Sequence, residues 1–313
     1  MAVWFATLSL VSSHGPGQSP ELKAIIDLIP NDFASPSADY PAVRAMLAPF
    51  HSHPVPDGIV VSDDELAGVP VAWYAKADGS LRNDVVVLHC HGGGLVSCPL
   101  NTYHFFGALL VEQLGHRVVM PDYRLAPEHP FPAALDDCLH TYEGLLGSGV
   151  DPARLVVMGD SCGGGLALSA LVAARDAGWP MPACFVSISG WFDLSVADPV
   201  EAGPDPFLTA EWVRNRGRDY AAGRVSLADP RVSPAFADLR GLCPLYLPVG
   251  ERDTLREGVA HLALAATAAG VDVTHEVIPG AIHGWQGLVT AGVPEAVEAW
   301  RRTAAYIDAR VGL

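Results

Sequence analysis

The chain has no run approaching the roughly 20 apolar residues that a membrane span needs, although half of its 313 residues are hydrophobic. That much apolar material without a span implies a large buried core. Basic residues are also scarce: 19 Lys and Arg stand against 35 Asp and Glu, a formal net charge of −16. Such a field repels nucleic acid and anionic membranes, so neither is an expected partner and neutral small molecules are the favoured ligands. The six cysteines, at 90, 98, 138, 162, 184 and 243, are dispersed in apolar contexts, which suits reduced structural thiols rather than a disulfide framework. Ala2 to Val11 are apolar but carry no basic n-region and no processing site, so the expected location is cytoplasmic. No internal repeat or long low-complexity linker divides the sequence, which argues for one domain.

What is present is an alternation of short apolar runs with helical patterns. The runs at 85–88, 117–120, 155–158, 184–188 and 245–249 are apolar apart from Arg117 and Ser187, as strands covered on both faces of a mostly parallel sheet should be. A sixth strand is expected within Val271–Ile278, which alternates. Helices are expected over Glu257–Ala269 and Pro294–Val311, and Thr209 is a plausible N-cap for a helix from Ala210 to Tyr220. The exposed-looking pair Arg301-Arg302 leaves a homodimer open without fixing an interface.

The chemistry lies where strands end. Gly159-Asp160-Ser161-Cys162-Gly163 joins the run 154–158 to a small-residue helix and reads as a nucleophile elbow, with glycine two residues to either side because neighbouring backbone must come close. A lone pattern of this kind is weak, since many glycine-rich turns share it. Upstream, the run 84–89 empties into His91-Gly92-Gly93-Gly94. Acyl transfer builds negative charge on a carbonyl oxygen, and bare glycine amides can be aimed at it. The expected oxyanion donors are the amides of Gly93, Gly94 and Cys162, with Gly92 shaping the loop. Downstream, Asp253 follows the run 244–249 and His283 follows the last strand, in the order nucleophile, acid, histidine. His283 would take the Ser161 proton while Asp253 fixes its tautomer. Glu251 and Glu257 compete with Asp253 for the acid role; Glu257 is better explained as an acid at a helix start.

With these residues in place, the chain resembles the hormone-sensitive-lipase-like branch of the α/β-hydrolases, which contains many bacterial carboxylesterases. The resemblance spans most of the sequence and rests on four blocks: His89–Gly94, Asp122–Ala134, Gly159–Gly164 and Asp229–Pro234. It implies an α/β-hydrolase fold with a mostly parallel eight-stranded central sheet flanked by helices and a helical cap. It further implies a serine hydrolase of short-chain acyl esters with Ser161, Asp253 and His283 as triad, lactones being the alternative substrates, and no cofactor or metal. Within that scheme 1–55 and 191–228 form the cap, while 56–190 and 229–313 form the catalytic core. Residues 1–18 could equally be partly disordered. Three positions depart from the family pattern. Cys162 replaces the usual alanine and could confer sensitivity to thiol reagents, Leu95 replaces a frequent aromatic and bears on pocket shape, and Thr254 replaces a common proline with little expected consequence.

Other classes fit less well. His51-Ser52-His53 and His89-Cys90-His91 are metal-type pairs, but no further histidines and acid complete them at later strand ends. A non-catalytic binding protein on the same scaffold would be expected to lack a triad member. Gly159 to Gly165 has neither the dinucleotide spacing nor a P-loop lysine.

Overall fold

The computed structural model describes residues 8–12, 18–30, 39–51, 53–81, 84–196 and 205–313. A nine-stranded sheet runs through its centre in the order β1-β9-β8-β7-β6-β4-β5-β3-β2. The strands are β1 (Leu8–Ser12), β2 (Ile59–Leu66), β3 (Val69–Lys76), β4 (Val86–Cys90), β5 (Arg117–Pro121), β6 (Leu155–Asp160), β7 (Cys184–Ile188), β8 (Leu245–Gly250) and β9 (Val273–Ile278). All neighbours are parallel except β2/β3 and β3/β5.

The expected eight strands are therefore joined by a ninth. Leu8–Ser12, assigned above to the cap segment, pairs along the outer side of β9 from Leu8↔Val273 to Ser12↔Val277. The physical reason is the unpaired row of backbone groups that β9 would otherwise expose. Residues 1–7 and 13–17, and with them most of the 1–18 question, lie outside the described residues.

The helices are α1 (Pro20–Ile26), α2 (Tyr40–His51), α3 (His104–Leu114), α4 (Ala133–Gly147), α5 (Cys162–Asp176), α6 (Ala210–Ala221), α7 (Arg256–Ala268) and α8 (Pro294–Val311). β4, β7 and β8 are buried along their whole length, which is why they read as apolar runs. Thr209 caps α6 as expected, its hydroxyl accepting from the Trp212 amide at 3.2 Å. On α8 both Arg301 and Arg302 reach Glu298 on the same helix, and Arg302 also reaches Glu276 at 3.3 Å, so both arginines are paired within the chain. Among the described residues, no helix is long and apolar enough to cross a membrane.

Register decides where function can sit. Cys90 pairs with Gly159, Asp160 with Ile188 and Gly250 with Ile278, so β4, β6, β7, β8 and β9 end together on one side of the molecule. The chain leaves β4 for β5 on one flank and returns to β6 on the other, and ligands bind outside the carboxyl ends of strands at such a switch point.

Candidate active site

At that switch point β6 turns into α5 through Ser161, whose backbone is held at φ 52° and ψ −125°. A left-handed φ on a serine is strained by about 1–3 kcal/mol, and the surroundings hold it there. The Ser161 amide donates to Ile188 O at 2.9 Å, and its carbonyl accepts from Trp191 at 2.8 Å. Gly163 has a steric reason to be glycine, because a Cβ there would overlap the carbonyl oxygens of Cys90 and His91. The turn lifts the Ser161 hydroxyl out of the sheet.

Three segments far apart in sequence meet at this hydroxyl. The Oγ of Ser161 lies 3.0 Å from Nε2 of His283. The other ring nitrogen, Nδ1, lies 3.2 Å from each carboxylate oxygen of Asp253. Asp253 is 2 % exposed and His283 8 %, so the pair is removed from bulk water. Burial alone would lower the His283 pKa, but the charge and hydrogen bond of Asp253, helped by Asp205 and Asp160, outweigh it and raise the pKa above the ordinary value. The rival acids stand apart from the imidazole. Glu251 accepts from the Gly280 amide at 2.8 Å, and Glu257 pairs with Arg256 at 3.1 Å on the surface.

The glycine loop after β4 is anchored by a residue to which the sequence reading gave no role. One oxygen of Asp160 accepts from the Gly92 amide and from His89 Nε2, each at 2.9 Å, and the other accepts from the Tyr103 hydroxyl at 2.7 Å. A Cβ at Gly92 would collide with this carboxylate. Gly93 and Gly94 follow in left-handed conformations, φ 112° and 66°, and both border the cavity above Ser161. The available signal was the acidic residue inside the elbow itself, one position before the serine.

His89 and His91, which suggested a metal pair, have structural partners. His89 is engaged by Asp160, and His91 stacks on Tyr123 at 4.1 Å between ring centres. Two further sequence blocks are also structural: Arg124 forks onto Asp137 at 2.8 and 2.9 Å, and Ser233 links Leu194 to Leu227.

The cavity has a volume of about 420 Å³. Ser161, His283, Gly93 and Gly94 form its polar end, while α1, α2, α3 and α6 supply Ile25, Met46, Phe105 and Trp212 to an otherwise apolar wall. Phe207 stacks on the His283 ring at 6.1 Å.

Residues 87–287 match the family model described as the alpha/beta hydrolase fold. Similar chains include an acetyl-hydrolase of Streptomyces hygroscopicus, 34% identical over 279 residues that cover 85% of this chain and 89% of that one. A carboxylesterase of Mycobacterium tuberculosis is 32% identical over 314 residues, 92% of this chain and 94% of the relative. The crystal structure of an esterase from the bacterial hormone-sensitive lipase family superposes with a TM-score of 0.86 at 35% identity, covering 95% of this chain and all of that one. The chain belongs to the hormone-sensitive-lipase-like bacterial esterases of the α/β-hydrolase family.

This esterase is a serine hydrolase, and its three departures from the family pattern now have physical contexts. Cys162 is 2 % exposed, and burial pushes its thiol up to about 12. The sulfur accepts from the Leu95 amide at 3.2 Å, tying elbow to glycine loop. Burial argues against the expected thiol-reagent sensitivity, because a buried thiol that stays protonated is a poor nucleophile. Iodoacetamide at neutral pH should leave ester turnover unchanged; an inactivation abolished by Cys162→Ala would refute this. Leu95 is buried beside Cys162 and does not border the large cavity, so it leaves the substrate pocket to other residues. Thr254 is more consequential than expected. Its amide donates to Asp205 at 3.3 Å and its hydroxyl to Leu208 O at 2.7 Å, and a proline could make neither bond.

Proposed function

We propose that the esterase hydrolyses short-chain acyl esters through an acyl-enzyme, with Ser161 as nucleophile, His283 as general base and then acid, and Asp253 as the group that orients and stabilises the imidazolium. The observation that carries this reading is the continuous line from Ser161 Oγ through both nitrogens of His283 to Asp253, at 3.0 and 3.2 Å. In the first half-reaction Nε2 takes the hydroxyl proton as Oγ bonds to the ester carbonyl carbon. The same proton then passes to the departing alkoxide, and the acyl group stays on Ser161. Water attacks in the second half by the same route, releasing the carboxylic acid and restoring the hydroxyl. The amides of Gly93, Gly94 and Cys162 hold the oxyanion, each donor being worth roughly a hundredfold to a thousandfold in rate.

The segments around α1, α2 and α6 act as the cap. They turn apolar side chains toward Ser161, exclude water from the acyl-enzyme and select compact acyl and alcohol groups. The cavity of about 420 Å³ lies at the lower end of the range for small-molecule sites, roughly 300–1,000 Å³, and its apolar wall suits a neutral ester. An aryl-ester series should therefore give its highest kcat/KM with short acyl chains, run beside a small lactone panel that turns over more slowly. A maximum at long-chain acyl groups would overturn the substrate class, and lactones outrunning every ester would shift the assignment to lactone hydrolysis.

A further inference from the structure

Behind the imidazole lies a second carboxylate. Asp205 is 4 % exposed and belongs to the segment that leads into α6, not to either loop of the proposed triad. Its side chain meets three backbone amides from three places. One oxygen accepts from Phe207 at 2.9 Å, and the other from His283 at 3.1 Å and Thr254 at 3.3 Å. The last two are the amide of the base itself and the amide next after Asp253, which lie 78 and 49 residues away in sequence. One carboxylate thus clamps the acid loop, the base loop and the cap strap to one another.

We infer that Asp205 is a positioning residue for ester hydrolysis: it fixes the backbone of His283 and of the Asp253 loop, and its charge supports the imidazolium formed during turnover. This role rests on the triad reading above. The charged groups facing His283 are Asp253 from the loop after β8, Asp160 from the end of β6 and Asp205 from the cap strap, all acidic. Burial and the nearby Asp253 charge push the Asp205 carboxyl up to about 6, so its negative charge is present above that pH and fades below it, while His283 is held above its ordinary value. Where present, that charge favours the protonated ring, so its removal lowers the His283 pKa. Because the strap carries α6, whose Trp212 borders the cavity, cap seating and triad geometry share this one side chain.

Asp205→Asn removes the charge yet leaves an oxygen for the His283 and Thr254 amides. In this variant the acid limb of kcat/KM against pH should move to lower pH by about half a unit. Plateau kcat should fall by up to about threefold, the factor half a unit represents, with KM unchanged. Asp205→Glu, which keeps the charge, should return the limb to the wild-type position. A purely structural carboxylate would lower kcat or Tm and leave the limb in place, so a folded Asp205→Asn enzyme with an unmoved limb overturns this role while leaving the triad reading intact. If the wild type shows no acid limb at all, the triad reading fails and this role with it. Should neither Asp205→Asn nor Asp205→Ser fold, the carboxylate is a determinant of the fold and the positioning role is overturned.

Discussion

Ser161→Ala should lower ester turnover about a millionfold while leaving the melting temperature within a few degrees of the wild type. The magnitude follows from how triads fail: once the nucleophile is gone, acid, base and oxyanion donors have no covalent step to assist, and only the residual effect of binding and oxyanion contacts remains. The fold should survive for a local reason. The elbow is held by backbone bonds of residue 161 to Ile188 and Trp191 and by the close approach of α5 to β4 at Gly163, none of which involves the hydroxyl. Alanine carries the same Cβ at φ 52° as serine does, so the strain at the turn is unchanged. Release of p-nitrophenol from a short-chain ester by purified Ser161→Ala protein, beside a thermal melt, checks both halves. Turnover within tenfold of the wild type would remove Ser161 from the reaction.

How far the site could be read beforehand depended on where its parts lie. Ser161 and Asp253 follow buried strands, which announce themselves as apolar runs, and His283 follows a strand that announces itself by alternation; once those ends are known, register brings the loops together. The hairpin β2–β3 was not legible for the converse reason. β2 carries Ser62-Asp63-Asp64-Glu65 on an outer edge, where charge blunts unwanted pairing, and β3 holds Pro70 near its start. Their turn, Ala67-Gly68, has positive φ at both residues, 49° and 84°, without the Asn-Gly or Asp-Gly pair that signals such a turn.

Asp160 and Asp205 were hidden differently. Asp160 stood inside the elbow motif, but its partners are an amide, an imidazole and a phenol from two other segments, and no spacing rule connects them. Among the described residues Asp205 accepts from backbone donors, which any sequence supplies, so nothing in the pattern of residue types points to it. Thr254 shows the same blindness from the other side. Its departure from the family's proline reads as neutral until the structure reveals that the missing ring frees an N–H for Asp205.

Asp253→Asn should lower kcat by about four orders of magnitude. Both carboxylate oxygens lie 3.2 Å from His283 Nδ1, which places a proton on Nδ1 and leaves Nε2 free to accept from Ser161. An asparagine in the same rotamer could keep the Leu255 amide, which donates to Asp253 Oδ1 at 2.9 Å, and would then turn its own N–H donor toward the ring. The imidazole would answer by moving its proton to Nε2, and a base that already carries a proton there cannot take one from Ser161. The imidazolium would also lose the nearest of the acidic charges that hold it, leaving Asp205 and Asp160. The loss should therefore fall on kcat with KM little changed, measured on the same short-chain ester. If the variant keeps half of the wild-type rate, the acid is not Asp253. Glu251 would then have to leave the Gly280 amide, or Glu257 its surface pair with Arg256, to reach the ring, and the corresponding glutamine variants would show which of them does.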